Sequence, residues 1–208
     1  MADSIIPDDP ASKSSKQLVE EGYNAMASTY HTWTNAYPSP RTKYLSKLLT
    51  LIPKDTPILE LGCGSGIPCT KMLSEHSSNV TANDISAAMI ELAKENVKGK
   101  GVKFVHGDMM GLEFGEGTLG AVAAFYSVIH LPRGEQEVML RRICGWLGER
   151  GYLLLNLGTR EMVGNVNENC ECSWGFFPDL GGDCDALRSG ECAVWRRPLS
   201  CVSNFLKK

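Results

Sequence analysis

The sequence has no long apolar run. Nothing in its 208 residues approaches the about 18 consecutive apolar residues of a membrane-spanning helix. The opening stretch, "MADSIIPDDPASKSSK", carries Asp, Pro and Ser where a secretory leader needs a basic end and an apolar segment. Positive charge is also short: 21 Lys and Arg stand against 24 Asp and Glu, a net charge of −3. No basic cluster interleaved with aromatics offers a surface to nucleic acid. Arg141-Arg142 falls inside a helical pattern and reads as a solvated face. These absences argue against membrane and nucleic-acid partners, and the expected location is the cytoplasm.

Paired C-x2-C spacing is missing as well, although the chain has eight cysteines. Cys63, Cys69 and Cys144 lie in the first 169 residues, and five more crowd into the rest as C-x-C-x11-C-x7-C-x8-C. That spacing is poor for zinc, so no metal site is expected. In a reducing compartment the thiols are expected to be mostly free.

What is present is alternation. Residues 1–14 read as a disordered lead-in. Ser15 to Trp33 has a helical pattern, with Tyr23 and Tyr30 two turns apart on one face. Leu45, Leu48, Leu49 and Ile52 repeat at i, i+3, i+4, i+7, a second helix ending before Pro53. "PILEL" then predicts a strand, and after a glycine turn a helix opens near Pro68. "NVTAND" is a second strand. Ser86 is placed to cap a helix with Met89, Leu92, Ala93 and Val97 on its apolar face. "VKFVHGD", "LGAVAAFYSVI" and "GYLLLNLG" supply three more strands, with a helix over residues 134–149 between the last two.

Strands and helices alternating at this interval predict an α/β fold, a doubly wound, mostly parallel sheet of right-handed βαβ units. Ligands in such sheets sit beyond the carboxyl ends of the strands, at the switch point. Glu60, Asp84, Asp108 and Tyr126 all fall at or just past predicted strand ends, which makes that rim the candidate site.

The turn in "PILELGCGSGIPC" separates two classes of adenosine cofactor. Gly62, Gly64 and Gly66 form G-x-G-x-G, whereas a dinucleotide turn needs two residues before its last glycine. Glu60, just before the turn, would repel a pyrophosphate within about 4–6 Å. The same acid would attract the sulfonium and ammonium of S-adenosylmethionine. Asp84, 18 residues past Gly66, is placed to accept ribose hydroxyls.

"ILELGCGSG", "VTANDISAAMIELAKEN", "VKFVHGDMMGLEF", "AAFYSVIHLP" and "GYNAMASTYHTW" together resemble the motifs of class I S-adenosylmethionine-dependent methyltransferases of the small-molecule type, including fungal biosynthetic enzymes. The resemblance runs over about residues 18–165 and implies a Rossmann-like domain over 15–169. It implies S-adenosyl-L-methionine as cofactor and a small-molecule substrate, with secondary metabolism as the setting. Glu60 and the backbone of Gly62, Cys63, Gly64 and Gly66 would face the methionine part. Asp84 would bind the ribose, with Ile85 and Met89 beside the adenine. Asp108 would accept the adenine amino group, and the amide of Met109 would meet the ring. Tyr126 would line the methionyl side, and Tyr23 and Tyr30 would close a lid. Plainer alternatives stay open: Met89 as helix core, Asp108 as a turn residue, the tyrosines as an aromatic stripe. Cys63 reads as a small turn residue, not a nucleophile.

Methyl transfer from a sulfonium depends on alignment, and needs a base only for a protonated acceptor. His130 in "SVIHLP" is the candidate base, with His31 a weaker second; a loop-satisfying histidine is the alternative. The competing readings are a catalytically impaired remnant that binds cofactor or a partner subunit, and a nicotinamide-dependent oxidoreductase.

Residues 170–208 break the pattern. They are Cys- and Gly-rich without helical or alternating periodicity, and read as an atypical tail in a fold lacking its usual last strands. The fifth strand is then expected to be an uncovered edge.

Overall fold

A computed structural model describes residues 13–36, 40–98, 101–156 and 193–196. Five helices and six strands follow in the order α1 (Ser15–Ala36), α2 (Pro40–Leu51), β1 (Ile58–Leu61), α3 (Cys69–His76), β2 (Val80–Asp84), α4 (Ala87–Asn96), β3 (Lys103–His106), β4 (Leu119–Ala124), α5 (Arg133–Trp146), β5 (Leu147–Leu155) and β6 (Ala193–Arg196). The sheet order is β3-β2-β1-β4-β5-β6. The first five strands are mutually parallel and β6 is antiparallel to β5. The order reverses between β1 and β4, so the switch point lies where the sequence places it.

The apolar pattern explains the layers. Ala121, Val122, Ala123 and Ala124 of β4 are fully buried, because this strand is central and covered on both faces. On one face Leu45 and Leu48 of α2, Ile52 just past its end and Leu73 of α3 pack on Ile58, Ala121, Ala123 and Leu154. On the other, Met139, Ile143 and Trp146 of α5 pack on Leu59, Leu61, Val122 and Leu153. On α4 the cap forms as expected, with the Ser86 hydroxyl accepting from the Met89 amide. Its buried residues are Met89, Ile90 and Ala93, with Val97 buried just past its end, so the expected apolar face holds except that Ile90 is buried and Leu92 only half-buried.

Two expectations change. Arg142 is more than a solvated side chain: its guanidinium donates to the carbonyls of Met110 (2.6 Å) and Leu112 and lies 5.2 Å over the Trp146 ring. It ties the loop after β3 to α5, a role that Trp146 one turn on makes available. The expected uncovered edge is also corrected. Ala193–Arg196 pairs with β5, Leu153 opposite Trp195 and Leu154 opposite Val194. Four residues are too few for alternation to show in sequence, though Val and Trp favour strands. The other tail residues, with all five of its cysteines, lie outside the described residues, as do residues 1–12 of the lead-in.

Burial on α5 yields a first prediction. Ile143→Ala, at a fully buried position, should cost about 2–5 kcal/mol of unfolding free energy in urea denaturation. Val138→Ala, at a position 45% exposed on the same helix, should cost less than about 0.5 kcal/mol. Equal losses at the two positions would contradict the assigned core face.

Candidate active site

Three strand ends hold the glycine turn in place. The carbonyl of Asn83 accepts from the amides of Gly62 (2.8 Å) and Cys63 (2.9 Å), carrying the turn on past β1 beside β2. The Asn83 side chain donates to the carbonyls of Val105 and Gly107, drawing the end of β3 to the same rim. Gly62 has φ +71° and the Ser127 Cβ 2.4 Å from where its own Cβ would stand. Only glycine suits that position, because β1 and β4 meet there backbone to side chain.

Asp84 locks the turn from the other side. One carboxylate oxygen accepts from the Gly64 amide at 2.8 Å, the other from the Ser86 amide at 2.9 Å. Each oxygen keeps a further lone pair for a ligand hydroxyl. Burial raises the Asp84 pKa, with the Ser86 and Gly64 amides opposing.

Above this floor lies an open cleft, about 810 Å³ of empty space when the solvent at its mouth is included. Tyr23, Tyr30, Gly62, Cys63, Gly64, Asp84, Ile85, Asp108, Met109, Tyr126 and His130 all line it. Eleven of the residues singled out in sequence are thus brought to one place. Three others lie beneath or behind it. Gly66 packs on α4, where an added Cβ would meet Val97 and Ala93, and Met89 is fully buried core. Glu60 is 2% exposed, with its carboxylate accepting from the Thr70 hydroxyl at 2.6 Å. It is not among the groups that line the cleft, but its charge acts on Arg41 and Asp84, which do line it.

Helix α1 crosses the rim. The Tyr23 hydroxyl and His130 Nε2 are 3.1 Å apart, and Tyr23 and Tyr30 meet edge to face. Burial, with smaller contributions from Tyr30 and Asp84, pushes the Tyr23 pKa up to about 12, so the phenol keeps its proton at neutral pH. Burial also lowers the His130 pKa, keeping the imidazole neutral. His31, the weaker candidate, instead pairs with the Ser65 hydroxyl of the turn at 2.8 Å. Asn24 accepts from the Ser86 hydroxyl and the Ala88 amide, fixing α1 across the start of α4.

Sequence reasoning missed Lys16, Arg41, Ser65 and Ser127, which also line the cleft. Ser127 follows Tyr126, whose φ of +51° turns the chain sharply after β4. Asn156 helps hold that turn by accepting from the Tyr126 amide at 2.5 Å. The strand "AAFYSVI" reads as continuous in sequence, which hides the turn. For Lys16 and Arg41 no local signal exists.

Glu60 gives the site a pH signature. Burial raises its pKa to about 8, against the lowering pull of the Thr70 hydrogen bond and the Arg41 charge. Between its ordinary value of 4.5 and about 8, the folded state holds a proton that the unfolded state has released. Stability therefore falls as pH rises through that window. Glu60→Gln should leave stability near the wild-type value at about pH 5 and raise it by a few kcal/mol, on the order of the shift, at about pH 8. Denaturation midpoints at the two pH values check this, and an identical difference at both would sink it. Asp84 shifts in the same direction, so part of the slope should remain.

A family described as "Methyltransferase domain" matches residues 58–151. Malonyl-[acyl-carrier protein] O-methyltransferase of Priestia megaterium is 34% identical over 97 residues, 45% of this chain and 35% of that protein. The chain thus spans about a third of that relative's length. Among solved structures, magnesium protoporphyrin IX methyltransferase (ChlM) from Synechocystis PCC 6803, crystallised with bound SAM, matches with TM-score 0.57. Its identity is 18% over 74% of this chain and 80% of that one. The [4+2]-cyclase SpnF matches with TM-score 0.59 and 20% identity over 75% of this chain and 65% of that one. At such identities the likeness establishes the fold, and SpnF shows that the fold carries more than one chemistry.

Proposed function

We propose that the cleft binds S-adenosyl-L-methionine and that the chain, whose residues 58–151 match a methyltransferase-domain family, methylates a small-molecule hydroxyl acceptor, in the setting of secondary metabolism. The observation that carries this reading is the meeting of Asp84, Asp108 and the Gly62–Gly64 turn on one wall with Tyr23, Tyr126 and His130 on the other. The first set suits a nucleoside and the second suits an uncharged acceptor beside a base.

The donor set fits the cofactor. Asp84 is preorganised by two amides with lone pairs to spare for ribose hydroxyls, and the turn admits close backbone approach. Asp108, which lines the cleft, is held by the Met110 amide at 2.9 Å on one oxygen and by the Lys16 ammonium at 2.6 Å on the other. Tyr23, Tyr30 and Tyr126 bring aromatic surface to which a cation is attracted. When bound, the cofactor supplies a methyl group on a sulfonium, whose leaving group is a neutral thioether.

The chain's own residues do the rest. The cleft walls align acceptor and methyl donor, the contribution that effective molarity measures. His130, neutral through burial, is in the form a general base requires. Its Nε2 faces the Tyr23 hydroxyl, so an acceptor hydroxyl giving up its proton there takes the place of that phenol. Helix α1 covers the cleft and limits water.

Calorimetry with S-adenosylhomocysteine and with NAD tests the cofactor half. The demethylated product should bind and NAD should not; tighter NAD binding would overturn the reading. Asp84→Ala should weaken S-adenosylhomocysteine by about 1–3 kcal/mol, the range for lost charge-assisted hydrogen bonds, while the thermal transition stays cooperative. Unchanged affinity would place the ribose elsewhere.

The acceptor half is tested by release of S-adenosylhomocysteine on incubation with an extract of the source organism. His130→Gln should lower that release by about 10²-fold or more without changing cofactor affinity. Equal turnover would remove His130 from the chemistry. Binding without turnover in any extract would favour a cofactor-binding subunit.

A further inference from the structure

Helix α1 is held to the rim in an unusual way. Ala27 is the only buried residue among its 22, and Leu18, Met26 and Trp33 are exposed. Little apolar burial therefore fastens it to the body. Its ties are polar and come from positions 16, 23, 24 and 31, two pairs seven residues apart that share one helix face. Three of the four are hydrogen bonds of Tyr23, Asn24 and His31. The fourth is ionic: the Lys16 ammonium lies 2.6 Å from Asp108 Oδ2 and also pairs with Glu135.

This bridge joins three elements, the start of α1, the turn after β3 and the first turn of α5. It stands on the cleft wall itself, since both Lys16 and Asp108 line the cavity. Lys16 is 23% exposed, and its side chain is partly withdrawn from water. An ammonium shared between two carboxylates and partly desolvated is a stronger tie than a surface pair. A segment with few buried apolar contacts belongs to the low-stability end of a fold and opens locally. Opening of α1 at this end needs the Lys16 bridge to break.

We propose that the bridge from Lys16 to Asp108 and Glu135 is a clasp that fastens α1 over the cleft and sets the rate at which the adenosine cofactor enters and leaves. The inference rests on the reading of the cleft as the cofactor site. The clasp acts on rates: it opposes opening in both directions, so association and release slow together.

Two readouts test it, one with a ligand and one without. S-adenosylhomocysteine carries no net charge, so electrostatic steering contributes little to its association. In stopped-flow binding, Lys16→Met should raise its association and dissociation rates together, each by about tenfold, with Kd changed less than about threefold. The wild-type association rate should climb between about 50 and 500 mM NaCl as screening loosens the clasp, and the Lys16→Met rate should stay flat. Lys16→Arg should restore slow exchange, and Glu135→Gln should speed it.

The second readout is Cys63, buried on the cleft floor beneath α1. Alkylation of Cys63, read by peptide mass spectrometry at fixed pH, should run about tenfold faster in Lys16→Met than in wild type. Faster Cys63 labelling in a protein that binds no S-adenosylhomocysteine would keep the clasp and discard the cofactor reading. Unchanged labelling and unchanged association in folded Lys16→Met would overturn the clasp. If Lys16→Met fails to fold, Glu135→Gln decides by the same two measurements.

Discussion

The site depends on one close approach, the passage of the β1 turn between the ends of β2 and β4. At Gly62 the chain runs so near Ser127 that a side chain would collide, and at Gly64 it is held by the Asp84 carboxylate. Both constraints act within three residues. They bring backbone amides, a buried acid and the sharp turn at Tyr126 to the same floor. Every other group of the candidate site is placed relative to that floor. The β3 end is drawn in by Asn83, and α1 is laid across by Tyr23, Asn24 and His31.

Much of this was legible because it depends on local chemistry. Strand and helix periods, the Ser86 cap and the glycines each leave a signature in consecutive residues, and the rim followed from topology alone. Asp84, Asp108, Tyr126 and His130 could be named because strand ends in this architecture converge. What escaped depends on contacts between distant residues. Lys16 and Asp108 are 92 positions apart and Thr70 shields Glu60 from a neighbouring helix, so neither arrangement is written in a motif. Glu60 marks the limit: its place before the turn is written in the sequence, while its burial against Thr70 is not. A strand residue two positions from Ile58 shares that residue's face, the α2 and α3 side, and so points into the body below the cleft. The strand Ala193–Arg196 escaped for a different reason, its brevity.

The energetics of the site divide between floor and cover. The floor is rigid, built from buried strands and from carboxylates whose oxygens are already engaged by backbone amides. Two buried acids there, Asp84 on its amides and Glu60 on the Thr70 hydroxyl, have raised pKa values in the fold, a cost in stability at neutral pH. Such costs gather where function needs charge in a low-dielectric setting. The cover, by contrast, is attached by polar contacts over a helix with one buried residue. A rigid floor suits alignment of a methyl donor, and a weakly packed cover suits exchange of the donor and its product. The same division explains why the tyrosines and His130 meet across the gap instead of within one element.

On the proposed reading, the cleft above the Gly62–Gly64 turn holds an adenosine cofactor with its ribose on Asp84. A crystal structure of the full chain with S-adenosylhomocysteine tests it most directly. The nucleoside should lie in that cleft, with ribose hydroxyls within hydrogen-bonding distance of the Asp84 carboxylate and the homocysteine end directed toward Tyr126. A nucleoside bound elsewhere, or a ribose in the cleft with Asp84 still bonded only to Gly64 and Ser86, would contradict it.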